Sequence, residues 1–436
     1  MSHRLARLQP PLAPIPPAFS PALHGALNRL LPLLLRLRLL RWLPVGITAL
    51  ELEDGEPLVT LLEQFRQGRC RLLLAFRHSE VDDPLCGLWL LSRALPRRLR
   101  PQPVHFLYDR GMPLWGGRAL GWLLSRLGGV SVRRGRHPDW SALRQARQLL
   151  REGPFPFVLA PEGATNGHGE WLGPLEPGAA RLALWCASDL RRAGLEQPVW
   201  IVPIGIHYTY PKAPWGRLDR LLARLERQLG LVPLTATTPE GRYRRLRRLG
   251  EILLAALEAF YDRLDGGGAG PGGSLPLPER IAVLRERVLA LAEARLPLQP
   301  RGSPEDRCRR LEEAAWQWIH REDLPPRRRL APLERQLADW TAAEADLALR
   351  HMRLVETFVA VSGRYVAERP SFERFAETAL LLHDGLARIR GGSLPGRPRL
   401  GARRARLQVA EPILVSGQEP VELTELLRQR LLSCLP

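Results

Sequence analysis

Lysine is nearly missing from this 436-residue chain. Lys212 is the only one, so arginine supplies the rest of its 64 basic side chains. Cysteine is scarce: Cys70, Cys86, Cys186, Cys308 and Cys434 are scattered and form no CxxC pair. That pattern argues against a zinc ribbon or a disulfide frame and reads as free thiols in a reducing compartment. No apolar run reaches the ~20 residues that a membrane-spanning helix needs. The nearest, "LNRLLPLLLRLRLLRWLP" (27–44), is broken by Pro32, Arg36, Arg38 and Arg41. Such a segment can lie in a headgroup layer with its arginines snorkelling, or pack as an ordinary buried helix. No secretory leader is visible.

Acid is in deficit as well. There are 45 acidic residues against the 64 basic ones, a formal net charge of +19, which favours anionic partners. The excess is uneven. The first 50 residues hold six arginines and no acid, and residues 84–151 hold thirteen arginines against Asp109 and Asp139. Beyond residue 280 both signs mix, as on solvated helix faces. No zinc finger, RNP-type strand or helix-turn-helix pattern accompanies the charge, so no nucleic-acid partner is expected.

What is present falls into zones. Residues 8–22 are proline-rich and read as an extended, poorly ordered arm. From about residue 70, short apolar runs at 71–76, 104–108, 129–132, 156–160 and 199–206 alternate with helical patterns at 84–95, 118–127, 140–151 and 178–194. This predicts an α/β domain with functional loops at strand ends. After Tyr210 come helical patterns at 216–264, 279–296, 304–321, 331–366 and 371–390. The glycine run 266–273 reads as a linker; its GxGxxG match follows no strand and contains a proline, so it does not read as a dinucleotide site. A strand pattern returns at 405–415, with a short helix at 420–432.

Chemistry concentrates where the first strand ends, in "LLLAFRHSEVDDPLCG" (72–87). His78 can take a proton from a hydroxyl if its other ring nitrogen is held, and Asp83, five residues on across a turn, can hold it. The same acids have another reading, since Asp82 or Asp83 before Pro84 is a good helix N-cap. Three further blocks sit at strand ends: "GGVSVRRG", with Gly129 and Arg134 in Gly-x4-Arg spacing; "LAPEGATNGHGE", with Glu162 and Gly163 in a turn; and "VWIVPIGI", with Pro203 in a buried run. No GxSxG elbow occurs, and Cys86 lies in an apolar helical run. His105, His137 and His207 read as structural or solvated, and His168 as a surface-loop histidine; no cluster offers a metal-ligand set.

In their order and spacing, these four blocks resemble the PlsC-like glycerophospholipid acyltransferases over roughly residues 45–211. That family usually ends on a strand reading "GEPI" and a short helix, which "VAEPILV" (409–415) and "VELTELLRQRL" (421–431) resemble. The resemblance therefore implies an α/β fold: a PlsC-type domain, its mostly buried sheet flanked by helices, with a large all-α insertion before the last strand. The expected division is an arm and basic apolar helix at 1–47, the αβ domain at 48–211, the insertion at 212–397, and the final strand and helix at 398–436.

The resemblance also implies transfer of a fatty acyl group from acyl-CoA or acyl-carrier protein to the hydroxyl of a lysoglycerophospholipid such as 1-acylglycerol 3-phosphate. His78 and Asp83 would be catalytic; Gly129, Arg134, Glu162, Gly163, Thr165 and Pro203 would bind substrate, with Arg134 on the phosphate. Thr165 stands where the family commonly has a second arginine, which leaves other lipid acceptors, or an inactive protein retaining the fold, as alternatives. No cofactor is implied. The expected setting is cytoplasmic, peripherally associated with an anionic membrane surface.

Overall fold

Successive residues of Arg71–Phe76 face opposite ways. Leu72, Leu74 and Phe76 enter one apolar cluster, Leu73 and Ala75 another, and all five are buried. A strand covered on both faces needs helices on both sides of its sheet. The computed structural model supplies them; it describes residues 5–37, 45–133, 139–265, 275–391 and 396–436.

In chain order, the elements begin with α1 (Pro21–Arg36), β1 (Ile47–Glu53), α2 (Glu56–Arg66), β2 (Arg71–Phe76) and α3 (Asp83–Trp89), the last continued by a π-helical turn over Leu90–Ala94. Then follow β3 (His105–Asp109), α4 (Met112–Gly116), α5 (Arg118–Arg126), β4 (Gly129–Val132), α6 (Trp140–Glu152), β5 (Phe157–Leu159), α7 (Gly178–Arg192) and β6 (Val199–Thr209). Helices α8 (Trp215–Gln228), α9 (Pro239–Asp265), α10 (Leu277–Arg295), α11 (Pro304–Ile319), α12 (Pro332–Phe358), α13 (Tyr365–Glu368) and α14 (Phe372–Ile389) come next. The chain closes with β7 (Arg403–Val409), β8 (Ile413–Leu414) and α15 (Pro420–Leu432).

The described residues fall into two compact units. One holds Pro14–Arg133, Asp139–Ala213 and Gly401–Pro436; the other holds the N-terminal segment through Ala13 and Pro214–Leu400. In the first, the strands form one sheet in the order β1-β7-β6-β2-β5-β3-β4, with β8 also on β6. The pairs among β2 to β6 are parallel, whereas β7 and β8 run antiparallel to β6. The fold is the mixed α/β architecture expected from the sequence, with the helical stretch preceding the last strands. Because β7 is antiparallel, its first residues lie beside the last of β6, with Tyr208 opposite Ala405.

Helices α1 to α3 cover one face through Leu31, Leu58, Leu62 and Cys86. Helices α6, α7 and α15 cover the other through Leu150, Ala183 and Leu427. Pro203 sits inside β6, between β2 and β7, although proline cannot donate to a ladder. The sheet accommodates it where β7 gives way to β8: the Pro203 carbonyl accepts from Ala410 N at 3.0 Å, and β8 resumes pairing at Ile413.

In the second unit, α9 to α12 share a core including Tyr261, Leu289, Leu311 and Ala345. Buried arginines brace it by forked pairing: Arg245 donates to both oxygens of Glu226, and Arg307 to both of Glu293.

Several boundaries differ from expectation. The helix expected at 27–44 begins at Pro21, capped by Ser20, and ends at Arg36; residues 38–44 lie outside the described ones. The arm is held in place: Ile15 N donates to Ser131 Oγ at 3.2 Å, Ala18 N to Ser125 O at 3.1 Å, and Ser20 N to Arg126 O at 2.8 Å. The pattern at 216–264 is two helices, α8 and α9, parted at Gly230, whose φ of 74° no helix continues. Strand β1 was not anticipated. Residues 266–273 lie outside the described ones. No described helix is long and apolar enough to cross a membrane.

Candidate active site

The alternation of β2, carried two residues beyond its end, aims His78 to the side where α3 begins. His78 Nδ1 lies 3.1 Å from Asp83 Oδ2. That carboxylate is buried and further held: Oδ2 accepts from Glu80 N at 2.9 Å, and Oδ1 from the Tyr208 hydroxyl at 2.6 Å. An ionised carboxylate only accepts, so the chemistry assigns the ring proton to Nδ1 and leaves the lone pair on Nε2. The imidazole is 27% exposed and Asp83 4%, so a molecule arriving from solvent reaches the ring first.

Neither acid serves as the side-chain cap that the other reading required. Asp82 occupies the N-cap position of α3 without a side-chain capping bond. Its Oδ1 accepts instead from Val45 N at 3.0 Å, and its Oδ2 from the Arg403 guanidinium. The two carboxylates are spent on tertiary contacts.

The segment after β5 is fastened to this point from below. Glu162 is buried, and its Oε1 accepts from His78 N at 2.9 Å. Its Oε2 takes Asn166 Nδ2 at 3.0 Å and Gly173 N at 3.3 Å. Burial raises the Glu162 carboxyl above its usual range, while Arg77 and the backbone donors pull it back. Arg77, wholly buried, donates to the carbonyls of His168, Gly169, Trp171 and Ile206. One arginine thus ties the loop and β6 to the end of β2.

The other sequence-selected residues are spread more widely. Gly163 has φ of 77° and donates to Ala160 O at 3.2 Å, a conformation that favours glycine. Thr165 is exposed two residues on, whereas Asn166 is already bonded to Glu162 and to the Trp171 carbonyl. Gly129 is buried, and a Cβ there would lie 2.8 Å from Leu124 O and from the Phe106 ring, so close packing alone demands glycine. Pro203 is buried within the sheet. Arg134 and His137 lie outside the described residues. His168 is 2% exposed, not a surface histidine, and is anchored through Asn166; His105 and His207 are also buried. Cys86 is buried beside the Tyr208 hydroxyl, and its thiol is raised strongly by that burial.

Sequence reasoning missed Arg77, Tyr208, Arg403 and the tertiary role of Asp82. Arginine directly after a buried run was a signal for the first. Tyr208 continues the Ile204, Ile206 alternation and could have been placed on the His78 side.

Residues 57–207 match a protein-family model described as Acyltransferase. This segment belongs to the PlsC-type acyltransferase family. No curated protein matches the chain. The matched acyltransferase segment contains every residue selected above from the sequence, from His78 to Pro203. Tyr208 and Arg403 fall beyond it. An acyltransferase domain implies an acyl donor and a lipid acceptor in general, and those are the substrates against which the site is best read.

Proposed function

We propose that this protein transfers a fatty acyl group from acyl-CoA or acyl-carrier protein to the free hydroxyl of a lysoglycerophospholipid. The observation that carries the reading is the His78–Asp83 pair, at 3.1 Å, with the outer imidazole edge open. The acceptor hydroxyl gives its proton to His78 Nε2 as its oxygen attacks the thioester carbonyl. Collapse of the tetrahedral adduct breaks the carbon–sulfur bond, and the imidazolium returns the proton to the departing thiolate. Asp83 steadies the imidazolium while it exists. The buried, strongly raised Cys86 thiol is a poor nucleophile, which favours direct transfer over an acyl-cysteine. Arg134 takes the acceptor phosphate, for which a guanidinium offers two parallel donors; with Thr165 in the third block, acceptors of lower charge compete.

Incubating the purified protein with acyl-CoA or acyl-carrier protein and a panel of lysolipids should yield two-chain lipid after extraction. It should be greatest with phosphate-terminated acceptors. Lack of product with every donor–acceptor pair would instead favour an inactive protein retaining the fold.

A lipid acceptor places the work at a bilayer surface, and α1 suits one. Leu30, Leu33 and Leu37 are 53%, 51% and 44% exposed on one stripe, with Arg29 and Arg36 along its edge. The end of α1 lies beside the site, since Gly46 N donates to Leu35 O while Val45 N donates to Asp82. Co-sedimentation with phosphatidylglycerol vesicles should exceed that with phosphatidylcholine vesicles and weaken with salt. Equal binding to both would rule out the electrostatic part.

A further inference from the structure

Two residues outside the matched acyltransferase segment pack onto the His78–Asp83 pair within it. We infer that Tyr208 and Arg403 are positioning residues for acyl transfer: Tyr208 fixes the Asp83 carboxylate that holds His78, and Arg403 fixes Tyr208 and offsets Asp82. This rests on the role proposed above for His78.

The geometry is closed on all sides. The Tyr208 hydroxyl donates to Asp83 Oδ1 at 2.6 Å, so both carboxylate oxygens have partners and the group has one orientation. The Arg403 guanidinium lies 4.7 Å from the centroid of the Tyr208 ring and pairs with Asp82 Oδ2. Its own backbone is held, with Arg403 N donating to Gly46 O at 2.9 Å. Topology explains the placement. Only a strand antiparallel to β6 starts at the edge where β2 and β6 end, and β7 is that strand.

Both side chains are in the protonation state the arrangement needs. Burial, then the Asp83 charge, raises the Tyr208 hydroxyl well above its ordinary value, so it remains a donor. Burial pulls Arg403 down, but Asp82 and its neighbours outweigh that, so it stays charged. Among the described residues, the titratable groups facing this cluster are His78, Glu80, Asp82, Asp83, Cys86, Tyr210 and Glu162, the last backed by Arg77. Arg403 answers Asp82, which leaves Asp83 to answer the imidazolium.

The test is Tyr208→Phe, which removes one hydroxyl and keeps the ring. Losing a hydrogen bond to a charged group should lower kcat roughly 10- to 100-fold, with little change in KM for either substrate. Deprived of that donor, Asp83 holds the imidazolium more strongly, so the acidic limb of the kcat/KM profile should move to higher pH. Arg403→Met should move it the same way, because Asp82 then adds its own unanswered charge. A merely structural role would lower the melting temperature but leave kcat and the pH profile of the folded enzyme unchanged, which would overturn the inference.

A second readout does not depend on turnover. The downfield proton signal of His78 Nδ1–H, identified by its absence in His78→Gln, should be sharp in the native protein and broadened or lost in Tyr208→Phe. An unchanged signal sinks the positioning role whatever the activity. Conversely, a native protein without acyl transfer, or a fully active His78→Ala, defeats the proposed function while this comparison still decides what Tyr208 does.

Discussion

Replacing His78 by alanine should lower kcat for acyl transfer about 10²- to 10⁴-fold, the range for loss of a positioned general base. The KM values should change little, because the imidazole acts on a proton in transit and not on the bound ground state. The fold should survive. The imidazole is partly exposed, and Asp83 keeps its bonds to Glu80 N and the Tyr208 hydroxyl without it. Loss of activity therefore would not be loss of structure, and unchanged near-ultraviolet circular dichroism checks this. Asp83→Asn makes the complementary case. Its amide oxygen keeps the place where Oδ2 accepts from Glu80 N, so the ring stays held but the charge that steadies the imidazolium is gone. It should cost about as much as removing the ring. Native-like turnover by His78→Ala on the best lysolipid would remove the histidine from the mechanism.

The sequence was legible where burial is two-sided. "LLLAF" and "VWIVPIGI" are apolar throughout because helices cover both faces, and they are most of β2 and most of β6. The β1 run "ITALELE" is only partly buried along its length. Its glutamates broke the apolar pattern, and it passed unnoticed as a strand. The antiparallel return of β7 to β6 makes the segment after the helices part of the first sheet. The site divided along the same line. His78 and Asp83 are five residues apart, so a turn suffices to join them. Arg403 reaches Asp82 across 321 positions, and only the pairing register of β7 could have revealed it. Glu162 was chosen as a site residue, and its carboxylate does reach the site, but at the His78 backbone nitrogen. Asn166, in the same block, is committed to the loop interior because Glu162 needs partners where no water reaches.

Arg77→Met should be the most destabilising single change in the first unit. Arg77 is fully buried and gives hydrogen bonds to four carbonyls, with His168 O at 2.9 Å and Trp171 O at 2.8 Å among them. Methionine fills much of the volume but donates nothing, so those carbonyls lose their partner in a place water does not enter. Glu162 also loses the cation 3.8 Å away, and removing one partner of a buried pair costs about 3–5 kcal/mol. A protein stable by only about 5–15 kcal/mol cannot absorb that lightly. The expected result is a melting temperature lower by roughly 10 °C, from about 2–4 °C per kcal/mol in a unit of this size, or failure to fold. Arg77→Lys discriminates between charge and geometry. An ammonium keeps the cation near Glu162 but lacks the planar fork that reaches several carbonyls at once, so it should recover only part of the loss. The double change Arg77→Met, Glu162→Gln isolates the pair. If the unpaired carboxylate dominates, adding Glu162→Gln should regain stability over Arg77→Met alone; if the orphaned carbonyls dominate, it should not. A melting temperature for Arg77→Met within about 2 °C of native, less than the shift from about 1 kcal/mol, would show that the loop is held by something other than this side chain.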